Sequence, residues 1–522
     1  MQHRDLDILV SKTWTNEDFI AVGRQRKKPV VTTSNIEKVA AAHKTLQELL
    51  QKGHWIYGVS SGFGPLANED ASKNTQRQER LIYHLATGVG PKLGIEITRM
   101  IFALRLKQLA QGYSGINPKS FQTLYDAFLK DFLPEIPALG SVGASGDLTP
   151  LAHLALGLSG KTNFYWKRKK YAASDFYKIK PISVVKWSDK DALAFVNGTA
   201  AMTAIASMNL YETNILFRLS CQLAFSYGEC LGAYSEAWHP KLADLHPQVG
   251  HKELAKWLFH QSVEGWFQKG PKELDAGFNG KWPQDPYSIR CVPQLLGAVK
   301  DQLKQIEDCL QIEINSVSDN PNFFSDEKTV LHGGNFNGQH VSFSSDQLNL
   351  QIAYLGVYAE KRISTLCDSK LNLGLSPFLK SGSAGENSGF MGAQVTATAL
   401  CAELKSLYKP LSLETLSTNG QNQDMVSMGT ASAWRGQQML TILKALISIE
   451  TMVNTEALRH RKAQLESEPS KQSKDWLDYF SPNFSPLTQD RPLGSEIESL
   501  SERLIDIAEQ FKLLPFRDLK SK

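Results

Sequence analysis

The sequence lacks any paired-cysteine signature. Its six cysteines, Cys221, Cys230, Cys291, Cys309, Cys367 and Cys401, are scattered with no C-x-x-C spacing. That excludes a disulfide framework or a cysteine-based zinc module and predicts a reducing compartment. Charge of one sign is also missing. Lys plus Arg is 57 and Asp plus Glu is 53, a net +4 over 522 residues, so neither nucleic acid nor a membrane surface is expected as the main partner. There is no long apolar run. The longest uncharged stretch, 192–211, carries Asn197, Thr199, Thr203, Ser207 and Asn209 and is too polar for lipid. The opening MQHRDLDILV has no apolar leader core, so a cytoplasmic protein is expected.

Against these absences stands an ordinary globular balance, 42% hydrophobic and 21% charged. No Pro-, Gly- or Ser-rich linker and no internal repeat divides the chain. Apolar residues fall at helical spacing in several places. Ile97, Met100, Ile101 and Leu104 form one face of a helix ending near Gly112. Leu296, Val299, Leu303, Ile306 and Leu310 alternate steps of three and four, the spacing of a long helix packed nearly parallel to neighbours. Met439, Ile442, Leu443 and Leu446, with Leu440, Ile447 and Ile449, predict a helix buried on many sides. Phe164–Trp166 and Tyr171 flank a basic tip, Lys167–Lys170, and predict a short hairpin with a solvated turn. The stretch from Arg459 to Arg491 is polar and contains prolines, and predicts a surface crossing before a last amphipathic helix. The expected fold class is mainly α, with long central helices and a more irregular N-terminal third. The expected division is 1–190, 191–455 and 456–522.

A metal site is not expected. His239, His246, His251 and His260 accompany Glu236 and Asp244, but their spacings do not stack on one helical face and no cysteine joins them.

The most informative segment is Gly140-Ser141-Val142-Gly143-Ala144-Ser145-Gly146-Asp147-Leu148-Thr149-Pro150, a sterically bare loop after Pro134 and Pro137. Helical pattern resumes after it, with Thr149 as expected N-cap, Pro150 at the first helical position, and Leu151, Leu154, Ala155 and Leu158 as the buried stripe. Three readings compete. A glycine-rich turn can simply let helices approach. A hydrolase elbow G-x-S-x-G with Ser145 as nucleophile fails at its last position, where Asp147 stands, and no buried strand precedes it. The third is backbone cyclisation, in which the unhindered Gly146 nitrogen closes on the Ala144 carbonyl carbon. Loss of water from that ring and from Ser145 would leave an exocyclic methylidene, an electrophile that no side chain supplies.

The run G-x-x-G-A-S-G-D-L-x-P-L-A-H resembles the aromatic amino-acid ammonia-lyases, which form a methylidene-imidazolone (MIO) from Ala-Ser-Gly. The resemblance extends over nearly the whole chain from Ile56. It includes Tyr57-Gly58-Val59-Ser60-Ser61-Gly62-Phe63-Gly64, Phe195-Val196-Asn197-Gly198-Thr199, Gln284-Asp285-Pro286-Tyr287-Ser288-Ile289-Arg290-Cys291, Ser318-Asp319-Asn320-Pro321, His332-Gly333-Gly334-Asn335-Phe336 and Asn422-Gln423-Asp424. It implies an aspartase/fumarase-like α fold and a homotetramer whose sites combine residues of three chains. It implies MIO from Ala144, Ser145 and Gly146 with no external cofactor. Asn197 would bond its carbonyl, and Tyr57 would take the β-proton. Arg290 would hold the substrate carboxylate, and Tyr287 would assist proton transfer and ring closure. Gly64, Leu148, Gln284, Asn335, Phe336, Asn422 and Gln423 would line the pocket. Taken singly, each of these has a plainer reading: a half-buried aromatic, a solvated charge, a turn residue.

The substrate hint is His84-Leu85, which resembles the tyrosine lyases; phenylalanine lyases carry Phe-Leu there and histidine lyases typically Ser-His. Gln423, where histidine lyases have Glu, points the same way. A His nitrogen can pair a phenol hydroxyl, and beside phenylalanine it would lack a partner in a dry pocket, at a cost of about 1–3 kcal/mol. As a plainer reading, His84 is a satisfied core histidine. The expectation is elimination of ammonia from L-tyrosine to give trans-p-coumarate. Histidine or phenylalanine ammonia-lyase, tyrosine 2,3-aminomutase and a non-catalytic helical scaffold are the alternatives.

Overall fold

Apolar residues at steps of three and four become the buried faces of helices. Ile97, Met100, Ile101 and Leu104 are buried along the Ile95–Leu109 helix, and Leu296 to Leu310 along the Val292–Ile314 helix. In the Gly429–Leu465 helix, Met439, Leu440, Leu443, Leu446, Ile447 and Ile449 are all buried. That helix has 37 residues, a rod of about 55 Å at 1.5 Å per residue. The Ala200–Cys230 and Gln339–Cys367 helices, of 31 and 29 residues, are its counterparts. The computed structural model describes residues 7–71, 74, 76–270, 278, 281–383 and 385–511, and the opening residues used above to argue against a leader lie partly outside them. No helix among the described residues is long and apolar enough to cross a membrane.

Two compact units are built from non-contiguous stretches. The first comprises 1–211, 306–346 and 410–436, the second 212–305, 347–409 and 437–522. This partition differs from a division in chain order at 190 and 455, because four of its five boundaries fall inside long helices.

The first unit carries all the short strands, as the irregular N-terminal third suggested. The expected hairpin is there: Phe164–Trp166 pairs antiparallel with Lys169–Tyr171, and Phe164 to Trp166 also pair with Phe132–Pro134. Its two-residue turn places Lys167 and Arg168 at φ 49° and 62°, the left-handed region that matches strand twist. Deeper inside, Arg105 is fully buried and acts as a cap. Its Nε donates to Phe195 O at 3.1 Å and its Nη2 to Ala194 O, the last carbonyls of the Asp191–Val196 helix. Its Nη1 donates to Ser318 O at 2.9 Å. Nearby Lys190 and Asp319 form a fully buried ion pair at 3.0 Å.

In the second unit the segment after Arg459 departs from expectation. The Gly429–Leu465 helix runs through Arg459 and Arg461, and a further helix, Lys471–Phe480, follows. Arg461 is fully buried, donating to Cys230 O at 2.8 Å and Asn372 O at 2.9 Å. Trp476 is also buried and stacks on Phe480 at 3.8 Å. Polar composition misled because these charges cap carbonyls inside the fold. The last amphipathic helix is Gly494–Gln510.

Replacing Arg105 by Met removes the donor from three buried carbonyls and a cation from beside Asp319. The expected cost is about 3 kcal/mol, read as a lowered urea midpoint; an unchanged midpoint would show that the cap is dispensable.

Candidate active site

The bare loop lies between the Pro137–Leu139 strand and the Leu148–Leu158 helix. The helix begins earlier than its sequence suggested, with Asp147 and not Thr149 at the N-cap. Asp147 makes no capping bond to its own helix because its carboxylate is engaged elsewhere. Oδ2 accepts Met202 N–H at 2.8 Å, in the first turn of the Ala200–Cys230 helix. Oδ1 accepts the Thr430 hydroxyl, in the first turn of the Gly429–Leu465 helix. One buried carboxylate thus joins three helix N-termini, whose partial positive charges face the loop. Burial raises the Asp147 pKa to about 6, against the opposing pull of those hydrogen bonds.

The loop backbone is clamped on its other side. Gly146, at φ 68°, lies against Gly198, and Asp147 N–H donates to Gly198 O at 2.7 Å. A Cβ at 146 would fall on the Gly198 carbonyl, 2.5 Å from its carbon; one at 198 would stand 2.6 Å from Ser318 O and collide with Arg105. Met428 N–H donates to Val142 O at 2.8 Å and Ser427 Oγ to Gly143 O at 3.2 Å.

Two polar side chains converge on Ser145. Asn197 Nδ2 donates to the Ser145 carbonyl at 3.1 Å, and Gln423 Nε2 donates to Ser145 Oγ at 3.1 Å. Asn197 is buried, and its Oδ1 has no hydrogen-bond partner among the described residues. Gln423 is oriented by Thr418, whose hydroxyl donates to its Oε1 at 2.7 Å. Tyr57 Oη accepts Gly64 N–H at 2.7 Å, and Tyr57 N–H donates to His332 Nε2 at 3.3 Å. His84 and Leu85 end the Arg77–Leu85 helix, where His84 Nδ1 donates to Arg80 O at 3.2 Å. Leu148 opens the helix after the loop; Asn335 and Phe336 lie in the turn before Gln339, and Asn422 beside Gln423. All of these belong to the first unit. Gln284, Tyr287 and Arg290 belong to the second. There Arg290 Nη1 donates to Gln284 Oε1 at 2.6 Å, its guanidinium stands 4.8 Å from the Tyr287 ring centre, and Tyr287 is 67% exposed.

Three contributors were missed in the sequence. Asp147 was read as a mismatch to a hydrolase motif and as part of the loop motif, without a role of its own. Gln78 is buried and joins Gly58 O (3.1 Å) to Leu193 N–H (3.0 Å), linking the Tyr57 turn to the helix that ends at Asn197. His153 Nε2 accepts Gly88 N–H at 3.0 Å, tying the helix after the loop to the segment after His84-Leu85. Only its place in the L-A-H end of the loop motif could have signalled His153. Among the described residues no three His, Cys, Asp or Glu side chains gather as metal ligands. His246 and His251 approach to 3.4 Å, and Gln294 lies 3.2 Å from the far nitrogen of His251.

Comparison with known proteins identifies the family. The family model for aromatic amino acid lyase matches residues 14–481. A tyrosine ammonia-lyase of Cereibacter sphaeroides is 39% identical over 90% of this chain and 92% of its own length. A histidine ammonia-lyase of Natranaerobius thermophilus is 33% identical over 91% and 92%. The solved tyrosine aminomutase of Streptomyces globisporus superposes with a TM-score of 0.88 at 28% identity, covering 96% of this chain and 97% of that one. The mainly α, aspartase/fumarase-like fold is the one these proteins share.

His153 supplies a pH test. Burial, and then the Lys92 charge, push its pKa down from 6.5 to about 4; only the neutral ring can accept from Gly88. A depressed folded pKa gives stability that is complete above about pH 6.5 and lost as pH falls toward 4. His153→Gln keeps an acceptor without that proton site. The melting-temperature gap between wild type and His153→Gln should therefore move in the variant's favour between pH 7 and pH 5; a constant gap would refute the assignment.

Proposed function

The chain belongs to the aromatic amino acid lyase family and is a carbon–nitrogen lyase, and we propose that it eliminates ammonia from L-tyrosine to give trans-p-coumarate, using an MIO group formed from its own Ala144, Ser145 and Gly146. The observation that carries the reading is the Asn197 amide donating to the Ser145 carbonyl. Joining Gly146 N to Ala144 C leaves that oxygen as the ring carbonyl, so a donor already stands where negative charge would collect. The tripeptide also fits the group sterically: Gly146 packs against Gly198 with no room for a side chain, and Asn197 Oδ1 is a buried acceptor without a partner among the described residues.

The MIO supplies an electrophile that captures the substrate amine and makes it a leaving group. The remaining roles fall to this chain's side chains. Tyr57, its hydroxyl oriented by Gly64 N–H, takes the β-proton. Arg290 holds the substrate carboxylate with its guanidinium fork, and Tyr287 beside it assists proton transfer. Gly64, Leu148, Gln284, Asn335, Phe336, Asn422 and Gln423 line the pocket. The three N-termini joined by Asp147 favour charge arriving on the loop.

Tyrosine is favoured by His84. Its Nδ1 hydrogen is committed to Arg80 O, which leaves Nε2 as the acceptor for a phenol O–H, with Leu85 as the apolar wall. The 39% identity to a tyrosine ammonia-lyase supports the same substrate. The second reading is an aminomutase, favoured by the likeness to the Streptomyces globisporus enzyme; it would re-add ammonia at the β-carbon. The working form is a homotetramer in the cytoplasm, with Gln284, Tyr287 and Arg290 supplied to each loop by neighbouring chains. Along the Gln339–Cys367 helix, Phe343, Leu350 and Val357 recur every seven residues yet are 56, 41 and 39% exposed, an apolar stripe spaced for another helix.

Two measurements test this. Native mass spectrometry should give an assembly near four times 58.1 kDa, each chain lighter by two waters over Ala144–Gly146; an intact Ser145 in active protein would end the MIO reading. A panel of L-tyrosine, L-phenylalanine and L-histidine should yield coumarate from tyrosine, and His84→Phe should move the preference toward phenylalanine by about tenfold or more in kcat/KM. Urocanate from histidine, β-tyrosine, or an unchanged preference would each overturn the substrate assignment.

A further inference from the structure

Within the second unit, Tyr287 and Arg290 stand on a four-residue helical turn, Tyr287–Arg290, with few hydrogen bonds of its own and joined at one end through Cys291 to the Val292–Ile314 helix. Its backbone is held from beneath. Tyr358 Oη donates to Ser288 O at 2.6 Å, and Trp238 Nε1 donates to Ile289 O at 3.1 Å. The Tyr227 hydroxyl lies 3.2 Å from Ser288 Oγ. Tyr358, Trp238 and Tyr227 are all buried, so these bonds work away from competing water. Tyr358 is itself fixed from below. The Arg362 guanidinium stands 4.0 Å from its ring centre and is paired with the fully buried Glu450 through Nε and through Nη2 at 2.9 Å. Ser220 takes a further bond from Arg362 at 2.9 Å. The chain of contacts therefore runs from a buried ion pair, through an aromatic ring, to a carbonyl between Tyr287 and Arg290.

We propose that Tyr358, with Trp238, is a positioning residue for Arg290 and Tyr287. It fixes the angle at which the turn offers the guanidinium to the substrate carboxylate. The proposal rests on the reading that Arg290 binds that carboxylate. A turn anchored by only one or two carbonyls can rock, and Arg290 displaced by about 1 Å forfeits bidentate geometry before it forfeits charge. Tyr358 keeps the turn from rocking while touching no substrate.

The test uses the full-length enzyme and whichever of L-tyrosine, L-phenylalanine and L-histidine it turns over fastest. Tyr358→Phe keeps the ring over Arg362 and removes only the hydroxyl. It should raise KM about tenfold with a smaller fall in kcat. Arg290→Lys should raise KM further, and the double variant should be no worse than Arg290→Lys alone, because the hydroxyl acts through the guanidinium. A merely structural hydroxyl would lower the melting temperature but leave KM unchanged, or would multiply with Arg290→Lys; either result overturns the proposal. If Arg290→Lys leaves KM unchanged, the carboxylate reading falls and this proposal with it. If Arg290→Lys raises KM and Tyr358→Phe does not, the positioning role alone falls. Should Tyr358→Phe fail to fold, Trp238→Phe removes the second anchor, and the same non-multiplicative rise in KM is required of it.

Discussion

The surroundings of Ser145 depend on one steric constraint, the approach of the Gly146 backbone to that of Gly198 with no side chain between them. That contact brings Asp147 N–H onto Gly198 O and sets Asn197, one residue away, against the Ser145 carbonyl. It also explains Arg105. A guanidinium beneath Gly198 takes the carbonyls that the Asp191–Val196 helix leaves unpaired as it breaks off at Asn197. The loop is thus rigid because its neighbours are small and its polar groups are spoken for, with Asp147 closing the other side across three helix starts.

The second unit solves a parallel problem with different means. There Tyr287 and Arg290 sit on a short turn, and rigidity comes from aromatic donors backed by the Arg362–Glu450 pair. In both units a buried cation supports a segment that carries polar groups of the proposed site. Such pairs contribute little to net stability because desolvating them is expensive, yet removing one partner is costly, which suits a role in fixing geometry.

Much of this was legible in the sequence. The helices at 95–109, 292–314 and 429–465 follow from residue spacing, because a strongly periodic apolar face has few other ways to be buried. The hairpin at 164–171 was legible from its aromatic flanks and polar tip. Ser145 with Asn197 and Gln423 came from motif resemblance, and the contacts between them are long-range ones that no local pattern encodes. What escaped had the same cause. Thr149 looked like the N-cap because capping is a local rule, whereas Asp147 takes that place while serving distant backbone. Gln78 and Arg461 carry no local signal, since nothing in their neighbours announces the buried carbonyls they meet.

The walls around residue 145 come from distant stretches of the chain. Gln423, Ser427 and Thr430 reach a loop that was translated some 280 residues earlier. A nascent chain leaving the ribosome holds the tripeptide long before it holds these partners. The folded surroundings of the tripeptide are therefore completed only late in synthesis, and a polypeptide terminated before residue 423 never encloses it.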